Sequence, residues 1–240
     1  MIRVLLSLAV VLCMPGLSVG ASEEAPYAIG ELLFQDDFRS GTAKWVSELE
    51  NGGTVEAKEG AMTIDVPAGA TVWFKPLIEG PVMIEYHATV IKADGPNDRV
   101  SDLNCFWMGR DARSPGDIFG TKRSGKFSDY DQLRCYYVGL GGNSNTTTRF
   151  RRYIGEKQNR PLRPEHDRQK PEDLIVPNAS QRLRMIAFGP LIRFYRDDRQ
   201  LFELQDAEPY TSGWFAFRTV TSHLVIRDFK VFRLRATAAR

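Results

Sequence analysis

Short apolar or alternating runs recur along the chain, cut apart by Gly, Pro, Asn and Asp. They predict strands over Glu31–Phe38, Thr54–Val66, Thr71–Phe74, Val82–Ile91, Leu103–Met108, Leu133–Leu140, Thr146–Tyr153, Leu183–Phe188, Ile192–Arg196, Leu201–Leu204, Trp214–Thr219 and Leu224–Leu234. Asp197-Asp198-Arg199 predicts a hairpin turn, and Gly141-Gly142-Asn143 supplies turn residues between two further antiparallel strands. No segment sustains the 3.6-residue period of an amphipathic helix. Many short strands with this punctuation predict an all-β sandwich. Gly155–Pro177 is rich in proline and charge and reads as a long loop, a kind of connection that is usually functional or disordered.

Because side chains alternate across a strand, parity assigns faces. Val82, Ile84, Tyr86, Ala88 and Val90 predict a core face, leaving His87 outward with Glu85. Leu103, Cys105 and Trp107 oppose Asn104 and Phe106. Leu133, Cys135 and Tyr137 read as inward, which sends Arg134 and Tyr136 outward. Phe150 fixes its strand so that Arg149, Arg151 and Tyr153 point away from the core. Arg152 then has core parity and needs a bulge or a strand end to rescue it. Phe215 and Phe217 turn inward, leaving Trp214 and Arg218 outside. The outward set joins planar donors to aromatic rings. Rings stack on the apolar faces of sugars, and guanidinium forks hold hydroxyls and carboxylates. The same residues also suit cross-strand pairs that merely solvate a sheet.

The first 21 residues change the picture of where the chain works. Arg3 gives a positive start, Val4–Cys13 is apolar but too short to span a bilayer, and Ser18-Val19-Gly20-Ala21 offers small residues for cleavage. Residues 1–21 are therefore expected to be a signal peptide and residues 22–240 a single exported domain, periplasmic or extracellular. No later apolar run is long enough for a membrane helix. Cys105 and Cys135 remain after removal of the leader, either as a disulfide or as two small buried residues. His87, His166 and His223 are scattered and make no zinc spacing. The phosphate loop, HExxH and GxSxG patterns are absent, so kinase, dehydrogenase and α/β-hydrolase readings have no support.

Composition is ordinary for a globular protein, with 42% hydrophobic and 26% charged residues. A net charge of +2 argues against a nucleic-acid partner. The charge is uneven, however. Thr121–Lys170 carries 12 Lys/Arg against 5 Asp/Glu, a net of +7, whereas Ser22–Gly120 carries 8 against 17, a net of −9. A basic middle in a near-neutral chain points either to a local anionic ligand or to a solvated basic loop. Asp36, Asp37 and Asp228 lie near the two chain ends, which often pair in sandwiches; they are candidate ligands for a structural calcium or, more simply, turn and capping carboxylates. No other cofactor is expected.

The run Arg123-Ser124-Gly125-Lys126-Phe127-Ser128-Asp129-Tyr130-Asp131-Gln132-Leu133 is distinctive. So is the stretch from Tyr136-Tyr137-Val138-Gly139-Leu140-Gly141-Gly142-Asn143-Ser144-Asn145 to Arg149-Phe150-Arg151-Arg152-Tyr153. With Asp102-Leu103-Asn104, Phe106-Trp107-Met108, Pro164-Glu165-His166-Asp167, Glu208-Pro209-Tyr210, Gly213-Trp214-Phe215 and Ile226-Arg227-Asp228-Phe229, they resemble a family of secreted bacterial proteins of unassigned function. The resemblance spans Asp37 to Leu234 and implies a concanavalin A-like jelly-roll β-sandwich of two antiparallel sheets. The family is similar to YesU-like rhamnogalacturonan-utilisation proteins, which implies a glycan ligand. The opening and closing strands also resemble 3-keto-glycoside hydrolase domains. The Gln-x-His strand motif of alginate-type jelly-roll lyases is absent, so that reaction is not carried over.

Three functions remain open for a chain expected to act as a monomer on a glycan. A lyase on uronate-containing glycan needs a group to neutralise the carboxylate, a base and an acid. Arg149, Arg151 and Asn104 suit the first role, and Tyr136, Tyr153 and His166 are the leading acid–base candidates. A hydrolase of the usual kind needs two carboxylates at a set separation, and only Glu85 lies on a predicted outward face. A non-catalytic glycan-binding module needs only the stacking face. The expected binding residues are His87, Asn104, Tyr130, Asn143, Asn145, Arg149, Arg151, Trp214 and Arg218.

Overall fold

The structure, a computed structural model, describes residues 25–237. The expected signal peptide lies outside the described residues. The strands in chain order are β1 (Tyr27–Asp36), β2 (Trp45–Leu49), β3 (Thr54–Lys58), β4 (Ala61–Val66), β5 (Ala70–Phe74), β6 (Ile78–Glu79), β7 (Val82–Val90) and β8 (Leu103–Asp111). They continue as β9 (Leu133–Gly141), β10 (Thr147–Ile154), β11 (Asp167–Arg168), β12 (Gln181–Phe188), β13 (Leu191–Arg196), β14 (Arg199–Gln205), β15 (Ser212–Thr219) and β16 (Ser222–Ala236). They build two antiparallel sheets. The first has the order β14-β13-β12-β7-β16-β4-β3, with β1 also on β16. The second has the order β11-β10-β9-β8-β15-β5-β2, with β6 on β15.

The alternation that predicts these strands also explains how the sheets meet. Val82, Ile84, Tyr86, Ala88 and Val90 of β7 enter the core, where Tyr86 lies edge-on to Phe217 at 4.9 Å between ring centroids. Each such ring contributes up to about 3 kcal/mol when fully buried. The predicted run Thr54–Val66 is two strands, because Glu59 and Gly60 take φ of 52° and 79° and reverse the chain. Three short strands, β2, β6 and β11, fall where no strand is predicted. β11 lies inside the expected long loop.

The second sheet is covered on both faces. Its outer face carries Trp73, Phe106, Cys135, Tyr137, Tyr153 and Trp214, packed under Ile118, Phe119, Phe127 and Tyr130. Those four belong to residues 112–132, a strap that crosses the sheet between β8 and β9. This second apolar layer overturns one predicted register. Tyr136, Val138 and Leu140 face the inter-sheet core, while Leu133, Cys135 and Tyr137 face the strap. With apolar residues on both faces of β9, alternation holds no face information there. The two cysteines are free and buried on opposite sides of the sheet. Burial pushes the Cys105 thiol up to about 12, so it stays protonated at neutral pH.

Arg152, whose parity is inward, is rescued near the end of β10. It donates to Asp206 at 2.7 Å and stacks on Tyr210 at 4.4 Å. The chain ends do pair, with Asp36 opposite Phe229. The Asp36 carboxylate accepts from the Phe38 amide and the Trp45 indole, and Asp228 faces His87 at 3.7 Å. Among the described residues no three potential metal-ligating side chains gather.

Candidate functional site

A cleft of about 460 Å³ opens on the outer face of the second sheet, beside the strap. Its floor is Tyr137 and Gly139 of β9 with Arg149 and Arg151 of β10. One wall is Phe127 and Asp131 at the end of the strap, joined by Gln158 and Arg160 from the following loop. The other is Asp102, Gly142, Asn143 and Thr147. Pairing sets this floor: Arg149 lies opposite Gly139 and Arg151 opposite Tyr137. Tyr137 leans over Gly139, where an added Cβ would stand 2.8 Å from its hydroxyl oxygen. A side chain at that position would push the ring aside. The turn between β9 and β10 holds Asn143, Ser144 and Asn145 at φ of 54°, 58° and 60°, a left-handed run that small polar residues tolerate.

Charge in the cleft is mostly committed. Arg149 donates two bonds to Asp167, both at 3.0 Å. Arg160 pairs with Asp131. Asp102 accepts from Arg99 at 2.6 Å and from Ser101 at 2.7 Å. Arg151 differs. It donates to the Arg160 carbonyl and pairs with no carboxylate among the described residues. Burial pulls its guanidinium pKa down, and Arg149 and Arg160 add to that pull. A guanidinium remains charged there all the same. Burial, helped by the Asp102 charge, raises the Tyr137 phenol above its usual range, so it stays protonated at neutral pH.

Of the residues expected from the sequence, Arg149, Arg151 and Asn143 meet in the cleft. Asn104 lies one strand further along the same row and is buried, its amide donating to Asp102 at 3.3 Å. Tyr153 shares the face but is buried against Tyr137 at 5.4 Å. Tyr130, Trp214 and Arg218 are also on this face, sealed within the strap layer. Trp214 donates to the Lys75 carbonyl, and Tyr130 donates to Glu48 at 2.7 Å.

Four expectations fail by placement. Tyr136 lies in the inter-sheet core, donating to Asp206 at 2.7 Å and accepting from the Tyr210 amide. His166 is buried between Phe150 and Phe202, its Nε2 3.1 Å from the Glu203 carbonyl, and burial lowers its pKa. His87 stands on β7 of the other sheet, with parity opposite to the core residues there. Asn145 spends its amide on both backbone groups of Ile175. Tyr137, Gln158 and Arg160 were missed. The aliphatic pair Val138 and Leu140, sharing the parity of Tyr136, was the available signal for Tyr137.

A larger hollow of about 550 Å³ lies between Pro26, Pro81, Met108, Phe188 and Leu191. Among the described residues no charged side chain lines it, whereas a third hollow of about 620 Å³ is lined by Arg110, Asp111, Arg134 and Glu208 beside Tyr210.

Comparison with known proteins gives a family and a fold. The chain belongs to the family described as "Domain of unknown function (DUF6250)", matched over residues 64–229. No curated protein matches the chain. Among solved structures it is similar to a protein of unknown function with galectin-like fold from Bacillus subtilis, at 18% identity and a TM-score of 0.68, covering 88% of this chain and 100% of that one. It is also similar to the carbohydrate binding module CBM66 from Bacillus subtilis, at 13% identity and a TM-score of 0.53, covering 79% and 95%. An endo-beta-1,3-glucanase from Pyrococcus furiosus aligns at 10% identity and a TM-score of 0.58, covering 89% and 100%. The two antiparallel sheets are thus a jelly-roll sandwich.

Proposed function

We propose that this protein is exported and binds acidic saccharides in the cleft between the strap and the β9–β10 turn. The observation that carries this reading is Arg151, a half-buried guanidinium in a polar cleft with no carboxylate partner among the described residues. An anion supplied by a ligand would complete it. Structural neighbours named for carbohydrate binding or cleavage support a saccharide as the carrier of that anion. Arg149 and Arg151 stand two residues apart on one strand face, roughly 7 Å, a span suited to one sugar unit. Binding is favoured over catalysis because the histidines lie outside the cleft and its two aspartates are already paired.

Calorimetry on the whole chain tests this with oligogalacturonates against neutral laminari-oligosaccharides. Preference for the acidic series, lost in Arg151→Ala while the fold is kept, supports it. Equal binding of both series by the wild type would sink it. One observation keeps a uronate lyase as the second reading: the Tyr137 phenol sits on the cleft floor and stays protonated at neutral pH. Ultraviolet absorbance of an unsaturated uronate product would reveal that reaction, and its absence across acidic substrates would remove it.

A further inference from the structure

The cleft is one end of a longer polar row. Pairing sets Thr71 beside Arg218, Arg218 beside Asn104, Asn104 beside Gly139 and Gly139 beside Arg149. Three strand spacings, roughly 14 Å, separate Arg218 from Arg149. Only the Gly139–Arg149 end is open. The rest lies under the strap, and Phe127 stands at the boundary. Its ring meets the Arg160 guanidinium on the cleft side at 4.2 Å and the buried Arg218 guanidinium at 5.3 Å.

Behind Phe127 the row is unfinished. Arg218 is 1% exposed and donates to Thr71 and to the Gly125 carbonyl, yet its Nε and Nη2 have no partner among the described residues. Asn104 Oδ1 is likewise buried and unpartnered among the described residues. Such groups are normally satisfied. The strap over them is fixed. Arg123, with a fully buried side chain, bridges Glu48 at 2.8 Å and Asp111 at 2.9 Å.

We propose that the cleft takes the end of an acidic chain, or a fragment of roughly two or three sugar rings, and that Phe127 is the residue that stops the chain there. This rests on the acidic-saccharide reading of the same cleft. Phe127 acts as a length selector: it closes a row whose next groups, Asn104 and Arg218, are already suited to a further hydroxyl and carboxylate.

The test is calorimetry with oligogalacturonates of increasing length, on wild type and Phe127→Ala. Wild-type affinity should rise up to the dimer or trimer and change by less than about threefold beyond it. In Phe127→Ala, longer oligomers should gain about tenfold over wild type, while the dimer changes little. A wild-type affinity that climbs about tenfold or more from trimer to hexamer overturns the proposal. So does a folded Phe127→Ala protein with unchanged length dependence. If that variant does not fold, the wild-type series decides. Failure of every oligomer to bind defeats the acidic-saccharide reading itself, whereas binding with unlimited length dependence defeats only the length selector.

Discussion

The two halves of the outer face of the second sheet use the same residue types to different ends. Under the strap, Arg123 stacks on Trp73 at 5.3 Å and on Tyr130 at 5.8 Å, and is held by two carboxylates. In the open half, Arg151 lies among Tyr137, Arg149 and Arg160 and has no carboxylate partner among the described residues. Arginine beside tyrosine therefore does not mark a binding site. What separates the two is whether the protein supplies the counter-charge. For Arg123 it does, and the arginine becomes a fastener; for Arg151 no carboxylate among the described residues does.

The largest expected effect breaks the strapped half. Arg123→Met should lower stability by about 3 kcal/mol, since it removes the buried guanidinium shared by Asp111 and Glu48 and leaves Asp111 with Arg113 and Glu48 with the Trp73 and Tyr130 side chains alone. Urea unfolding followed by tryptophan fluorescence measures it, and a loss below about 1 kcal/mol would mean the strap is held by its rings. Arg151→Ala should show the inverse profile. Acidic saccharides should bind about tenfold or more weakly, as expected for one charged hydrogen-bonding group worth about 1.5–3 kcal/mol, with the unfolding midpoint nearly unchanged.

Acid should sharpen the contrast. Burial raises the Asp111 pKa, but hydrogen bonds from Arg113 and the charges of Arg113 and Arg123 outweigh it, leaving the folded value below the ordinary one. A carboxylate with a depressed folded pKa gives full stability above its unfolded value, about 4, and loses it as pH falls through the lower folded value. The strapped half should therefore loosen below about pH 4. Asp111→Asn should flatten the pH dependence of the unfolding free energy in that window; an unaltered slope would assign the acid response elsewhere.

A smaller effect concerns the corrected register. Tyr136→Phe removes a bond to Asp206 and should cost about 1 kcal/mol while leaving saccharide affinity untouched. Loss of affinity at normal stability would restore Tyr136 to the site. The smallest expected effect is that of His87→Ala, which lies on the other sheet and should change neither saccharide affinity nor its pH profile.

Much of the sandwich was legible in the sequence, because period-two alternation is reliable where one face of a strand meets water. β7, β10 and β15 have such faces or clear Phe markers, and their registers were read correctly, including Arg149 and Arg151. β9 has none. The strap turns its outer face into a second interior, so Tyr136 and Tyr137 exchanged places. The short strands β2, β6 and β11 owe their form to neighbours more than to their own pattern. The basic stretch Thr121–Lys170 contributes most of the cleft lining, yet its charges divide among fasteners, edge pairs and the cleft. Which side chains have partners is set by contacts between distant segments, such as Arg149 with Asp167.

The second apolar layer has a consequence for how the chain reaches this form. A sheet with Trp73, Phe106, Trp214 and Ala216 on its outer surface is not self-sufficient in water. If the two sheets closed before residues 112–132 settled, the intermediate would carry a sticky patch exposed to other unfolded chains. The strap lies between β8 and β9, which are neighbours in the sheet, so it can dock as those strands pair. Its place in the connectivity thus shortens the interval in which aggregation competes, and makes this segment the point at which crowded synthesis is most exposed to failure.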